Sequence, residues 1–341
     1  MKLGIIGLPR SGKSTLFDAL TKTIAGAAHK GEERIAAIRV PDVRVDALGR
    51  MYQPQKTTYA QVEYLLPGYK TDSSGDQGIW TSVRDCDALL HVVRNHAAYG
   101  FEKQSPLEDF IKLDQELILA DLVVVEKRLE RVELDEKRGK QMDKEEKALL
   151  TQCRQALESE IPLRKKIELS AAPKLRGFSF LSAKPVLILF NNEDDDERLP
   201  DLKEITAEEI CQVIRGKLEQ ELAQMPAEEA AEFLAEFNIP ASAMDRIIRQ
   251  SYALLNLISF LTTGKDEVRA WTIKKGTPAL DAAEVIHSDM KKGFIRAEVV
   301  SFQDLMDAGS YAEAKKRGSV RLEGKTYEVQ DGDVIQFRFN I

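Results

Sequence analysis

The chain is 341 residues long, 43% hydrophobic and 31% charged, which suits two or three globular domains and excludes both a disordered polymer and a small disulfide-stapled scaffold. Lys and Arg number 49 against 56 Asp and Glu, a formal charge of -7, so the protein does not coat nucleic acid through bulk electrostatics. Three cysteines without a C-x-x-C pair, and no apolar run near the ~18 to 20 residues of a bilayer span, point to a reducing, cytoplasmic setting without a membrane segment.

Lys2 to Ile6 is a short apolar run that leads into Gly7, and Lys13 to Thr21 places Leu16, Phe17 and Leu20 on one helical face. The order is strand, turn, helix. Further strands are predicted at Ile35 to Val40, Gln61 to Leu66, Ala88 to Val93 and Val186 to Phe190, the last two being compact runs of the kind buried on both faces of a parallel sheet. Between them lies a long helical insertion. Phe110, Leu113, Leu117, Ala120 and Val124 form one stripe and Ile118, Leu122, Val125, Leu129 and Val132 another, in the manner of a coiled-coil seam. A polar break at Arg138-Gly139 precedes a second apolar face at Leu150, Leu157 and Ile161, so the two helices are expected to fold back as an antiparallel arm.

Beyond the acidic run Glu193 to Glu197, helices are predicted from Ala207 to about Leu257, punctuated by Pro226 and Pro240. Short strands then follow at Val268 to Ile273, Ile295 to Val300, Ser319 to Leu322, Thr326 to Val329 and Val334 to Phe339. The segment from Leu261 onward is charge-balanced. These patterns predict an α/β fold with a doubly wound, mostly parallel sheet, an inserted helical arm and a small α+β C-terminal domain. The expected division is residues 1–105 and 171–260 for nucleotide binding, 106–170 for the arm and 261–341 for the last domain.

The chemistry is written most clearly in Gly7-Leu8-Pro9-Arg10-Ser11-Gly12-Lys13-Ser14-Thr15, which matches G-x-x-x-x-G-K-[ST] between a strand and a helix. The glycines let successive N–H groups point at phosphate oxygens, and the helix dipole favours the anion. Lys13 is expected to reach the β and γ phosphates and Ser14 to ligate Mg²⁺. An Asp at the end of a neighbouring strand normally completes the metal shell, but here Leu65 or Leu66 runs into Pro67-Gly68. Asp72 or Asp76 could compensate, and Gln77 could orient water. Asn191-Asn192-Glu193-Asp194 follows a buried strand where base recognition is expected, with Asn191 bracing the phosphate loop and Asp194 or Asp195 as the acid. Guanine specificity is weakened by the lack of a Lys after Asn191. His287 reads as a structural hydrogen-bonder, Trp80 and Trp271 as core or partner surface, and Arg164-Lys165-Lys166 as a solvated basic face.

Over nearly its full length the sequence resembles the YchF family, the Obg-like ATPases. The resemblance is carried by the phosphate loop, by Ala120-Asp121-Leu122, and most specifically by Glu267-Val268-Arg269-Ala270-Trp271-Thr272, Gly276-Thr277-Pro278 and Gln330-Asp331-Gly332-Asp333-Val334, which follow that family's TGS-type domain. It implies a P-loop NTPase with ATP or GTP and Mg²⁺ as ligands, ATP preferred, a ribosome or RNA partner and a switch-like cycle. The family's base-reading segments correspond to Asn191 to Asp194 and to Gly216-Lys217. The sequence departs from the family at its switch regions. The Asp-Ile-Ala-Gly turn is replaced near Leu66-Pro67-Gly68-Tyr69, the Gly-rich loop Ser73 to Gly78 has no His, and the switch I stretch with its Thr is missing between His29 and Ala36. The implied function is nucleotide binding with slow or impaired hydrolysis; the alternative is a non-hydrolysing scaffold that acts through its arm and C-terminal domain.

Overall fold

The computed structural model describes residues 1–23, 31–68, 75–97, 105–141, 143–237, 239 and 242–340. Of the stretch between His29 and Ala36, where the switch I segment is missing, residues 31–35 are described; Asp72 and the side chains of Asp76 and Gln77 lie outside the described residues. In chain order the strands are β1 (Lys2–Ile6), β2 (Arg34–Arg39), β3 (Lys56–Thr58), β4 (Gln61–Leu66), β5 (Ala88–Asn95), β6 (Val186–Asn192), β7 (Ile210–Ile214), β8 (Leu257–Thr263), β9 (Glu267–Lys274), β10 (Phe294–Ser301), β11 (Arg321–Glu323) and β12 (Asp333–Phe339). The first five helices are α1 (Lys13–Thr21), α2 (Val43–Tyr52), α3 (Gly75–Arg84), α4 (Pro106–Lys137) and α5 (Lys144–Glu158); later helices are named by their residues. No described helix is long and apolar enough to cross a membrane.

Two compact units are built from interleaved stretches, residues 1–36 with 63–247 and residues 37–62 with 248–341. The first contains a six-stranded sheet in the order β2-β4-β1-β5-β6-β7, in which β4, β1, β5, β6 and β7 join neighbour to neighbour in parallel ladders. Parallel ladders need crossovers, and α1, α3 and α4 supply them between successive strands. β5 and β6 are almost wholly buried, as their unbroken apolar runs require. Ile210–Ile214 was expected to be helical and is instead the edge strand β7. Its β-branched residues fit the pleat beside β6, and five residues are too few to declare a period. Gly75 to Gly78, expected within a loop, opens α3.

The two stripes of α4 serve different cores. Phe110, Leu113 and Leu117 pack with Ile6, Val93 and Phe190 of the sheet. Ile118, Val125 and Leu129 pack with Leu150, Cys153 and Leu157 of α5. Only the second stripe is therefore a helix-pair seam; the first docks the long helix on the sheet. Ser105 caps α4 through Glu108 N–H, and Asp143 caps α5 through Glu145 and Glu146 N–H, which sets both arm helices' starting points.

Asp121, fully buried on α4, locks that docking. Its carboxylate accepts the N–H of Leu181 at 3.0 Å and of Ser182 at 2.7 Å, and pairs with Arg84 at 2.9 Å. Arg164, expected on a solvated face, is buried instead, bonded by both terminal nitrogens to Asp114 and through Nε to Glu209 at 2.8 Å. A guanidinium can be desolvated when its fork meets carboxylates, and a basic triplet cannot reveal that in sequence.

In the second unit the sheet order is β11-β10-β12-β8-β9-β3, a mixed sheet with Phe260, Ala297, Val299 and Ile335 in its core. β8 starts at Leu257 and pairs with β9 along seven positions, so the expected boundary near Leu261 falls inside a strand. Thr326 to Val329 forms a single bridge, Pro278 to Glu328, rather than a strand. The stretch 37–62 is an integral part of this unit. β3 extends the sheet in register with Glu267 to Arg269, and Arg44 of α2 pairs with Asp42 and with Asp331 at 2.8 Å.

Replacing Asp121 with Ala would strand two buried N–H groups and leave Arg84 uncompensated, a loss of about 3–5 kcal/mol. Urea unfolding of the Asp121→Ala chain should show that loss; one below about 1 kcal/mol would mean that the carboxylate does not lock the arm.

Candidate functional site

The phosphate loop lies between β1 and α1, where four apolar residues of β1 are buried and the loop emerges at the strand's C-terminal end. That position in a doubly wound sheet is where ligands meet strand ends and helix N-termini. Gly12 stands at the N-terminal boundary of α1 with a φ of 99° and no side-chain cap, so the first N–H groups of the helix are left for an anion. Arg10, at a φ of 67°, adds a second left-handed residue to the turn.

One side chain holds this loop in place. Asn191, the sixth residue of β6 and 6% exposed, donates from Nδ2 to the Ser11 carbonyl at 3.0 Å, and its Oδ1 accepts the N–H of Gly216 at 2.9 Å. Gly216 begins the helix Gly216–Gln224. The fit excludes any larger residue at either contact, because a Cβ on Gly12 would stand 2.2 Å from Nδ2 and one on Gly216 2.8 Å from Oδ1. Asp18 adds a second tie between the same elements, accepting from Gln220 at 3.4 Å and pairing with Arg34 at 2.7 Å.

Lys13 is almost completely buried. Its Nζ donates to the carbonyls of Gly7 at 2.7 Å and Leu8 at 2.8 Å, which folds it back along the loop. Burial lowers its pKa to about 8. Beneath it, on β5, His91 is stacked on Phe110, and burial with the positive charges of Arg164 and Lys13 pushes it down to about 3, so it remains neutral.

The loop opens into a cavity of about 1060 Å³ whose walls include Lys13, Ser14, His96, Asn191, Asp194 and Lys217. Pro9, Arg10, Gly12 and Thr15 also face it. The remaining expected residues contribute otherwise. Leu8 offers its carbonyl to Lys13 and packs against the sheet core, Ser11 gives its carbonyl to Asn191, and Gly216 gives its N–H. Among the described residues the buried Ser11 hydroxyl meets no hydrogen-bond partner. His96 and Ala97 were not anticipated; only the end of β5 beside Asn191 in the parallel register could have pointed to them.

Along the wall at the end of β6 the polar groups are largely engaged within the protein. Asn192 accepts from Asn95 at 2.8 Å and donates to the carbonyls of Asp196 and Arg198. Glu193 accepts the Ala97 N–H at 2.7 Å. Asp194 accepts the Leu218 N–H at 3.2 Å, and its other oxygen lies 3.9 Å from Lys217, whose side chain is exposed. Ser14 is exposed at the start of α1, whereas Leu66 at the end of β4 is an alkyl group 5% exposed. Among the described residues no group of three His, Cys, Asp or Glu side chains could hold a metal by itself.

Several known proteins share this arrangement of sequence. Residues 257–340 match the family YchF-GTPase_C, described as a protein of unknown function. The chain is 39% identical over 364 residues to the ribosome-binding ATPase YchF of Bacillus subtilis, covering 99% of both chains. It is 38% identical to the protein of that name from Escherichia coli O157:H7, covering 100% of this chain and 99% of the other. The structure of the Schizosaccharomyces pombe YchF GTPase superposes with a TM-score of 0.84 at 30% identity, covering 99% of this chain and 97% of that one.

Lys13 should make ligand binding depend on pH. A bound phosphate stabilises the protonated amine and raises its pKa above the free site's value of about 8. Below that pH both states hold the proton and affinity is flat; above it, binding must recover a proton and affinity falls. Titration calorimetry with ATP should show more than about tenfold weakening from about pH 7 to about pH 9.5, with proton uptake. A flat profile would place Lys13 away from the phosphate.

Proposed function

Because the chain belongs to the YchF family, we propose that it binds a nucleoside triphosphate at Leu8 to Thr15, hydrolyses it slowly, and acts as a nucleotide-dependent switch on the ribosome in the cytoplasm. The observation that carries this reading is the Asn191 bridge from the Ser11 carbonyl to the Gly216 N–H, which holds the loop open over the N-terminus of α1. The relatives' names supply the ribosome and ATP. In this reading the unit of residues 1–36 and 63–247 binds the nucleotide, while its arm at 106–170 and the TGS-like unit of residues 37–62 and 248–341 present surfaces to the partner.

Affinity resides mainly in the phosphates. The loop N–H groups and Lys13 meet them, and the Ser14 hydroxyl is the protein oxygen placed to join Mg²⁺. Mg²⁺ commonly keeps waters and substrate phosphates as its other ligands, so this donor set fits an ion that arrives with the nucleotide and neutralises phosphate charge. Asn191 positions the loop, and Lys217 with His96 borders the base. With Asn192, Glu193 and Asp194 turned to internal partners, ATP and GTP should differ in affinity by less than about tenfold, or about 1.4 kcal/mol.

Leu66 favours the second reading, a scaffold that binds nucleotide without turnover. An alkyl side chain cannot orient the Mg²⁺ shell, and the loss of that positioning slows phosphoryl transfer, which depends on positioning and charge stabilisation. Calorimetry of the nucleotide-free chain with ATP and GTP, with and without Mg²⁺, tests both readings when Lys13→Ala serves as control. Binding abolished in Lys13→Ala supports the site; no binding of either nucleotide at about 1 mM, some 4 kcal/mol, would overturn it. Faster Mg²⁺-dependent turnover in Leu66→Asp would locate the impairment at that strand end, and no gain would place it in the shortened switch loops.

A further inference from the structure

Behind the Asp194 wall lies a second groove of about 780 Å³, which shares Asp194 with the first cavity. Leu218 forms its floor, and Phe233, Phe237 and Ile239 form an apolar flank. Phe233 and Phe237 are one helical turn apart, with ring centroids 4.5 Å from each other, and Phe237 is 59% exposed. An aromatic pair at that spacing is normally a core-facing stripe. Here it borders open space. A large exposed aromatic beside a concave apolar surface is the kind of anchor point that partner interfaces concentrate on.

Charge identifies the occupant. The groove's rim carries Asp194, Asp195, Asp196, Glu197 and Glu221 against Arg198 and Arg215. Both arginines are occupied within the rim, Arg198 with Asp196 at 2.9 Å and Arg215 with Glu197 at 2.8 Å. The adjacent helix Ala227–Glu236, which carries Phe233, contains four Glu and no basic residue. The field over the aromatic pair is therefore negative. It repels a nucleic-acid backbone and attracts lysine and arginine.

We propose that this groove docks a basic peptide segment of a partner protein, with an apolar side chain seated against Phe233 and Phe237 and lysine or arginine side chains on the acidic rim. The rim steers encounter and fixes orientation, and the aromatic pair supplies most of the holding energy. This surface meets the phosphate cavity only at Asp194 among the residues lining it, so the inference stands whether or not bound nucleotide is hydrolysed.

A fluorescein-labelled peptide of lysines flanking a Leu-Phe pair, followed by anisotropy on the full chain, provides the test. Binding should weaken strongly when salt is raised to about 0.3 M. It should fall at least about tenfold in Phe237→Ser, and also in a chain carrying Asp195→Lys with Glu221→Lys. Leu119→Ser, which removes an equally exposed apolar side chain from α4, should leave it unchanged. ATP binding in Phe237→Ser should match the parent chain, showing that the fold is intact. Equal peptide affinity in Phe237→Ser and the parent, or equal loss in Leu119→Ser, would overturn the proposal. So would a labelled single-stranded RNA that displaces the peptide and itself requires Phe237.

Discussion

The nucleotide-binding unit depends on a single buried amide. Asn191 joins three elements far apart in sequence: the phosphate loop after β1, the end of β6, and the helix that begins at Gly216. A glycine at each contact lets the backbones close on it. Both polar ends of the amide are satisfied, and the low local dielectric makes each bond costly to lose. The strained turn at Arg10 and Gly12 is sustained by this support rather than by its own propensity. Preorganised N–H groups bind phosphate without a further ordering cost, so in the proposed reading the amide that holds them sets part of the affinity.

The chain passes from the first unit to the second and back within its first 63 residues. After α1 and the switch I stretch, the backbone leaves the first unit within β2, builds α2 and β3 into the second, and returns within β4, which ends at Leu66 beside Pro67-Gly68. The two stretches where a triphosphatase would sense its γ-phosphate thus flank a segment anchored by the β3 pairing and by Arg44 on Asp42 and Asp331. Leu66 stands at the edge of one of those stretches, whereas Asn191 and the buried Asp121 tie together the architecture of the first unit.

Much of this was legible in advance because the signals were local. The phosphate loop declared itself by four fixed positions between a strand and a helix, and β5 and β6 by unbroken apolar runs. The arm's two stripes were legible as faces but not as destinations, since periodicity says which side is buried and not against what. β7 was hidden because five residues suit either state, and β8 because its sheet partner lies across a turn from a helical pattern. The role of residues 37–62 could not be read from local signals, because it rests on register with Glu267 to Arg269. Asp121 was visible only as part of a family motif; the two N–H groups that require it lie some sixty residues away. Arg164 was misread for the same reason, its charge being satisfied by Asp114 and Glu209 rather than by water.

The most direct measurement is ATP affinity in Asn191→Ala, by calorimetry, with far-UV circular dichroism to confirm that the sheet is retained. Loss of both amide bonds should loosen the phosphate loop and weaken binding by about tenfold or more, at least about 1.4 kcal/mol. Affinity within about twofold of the parent chain would contradict the account and show that the loop holds its shape without the amide.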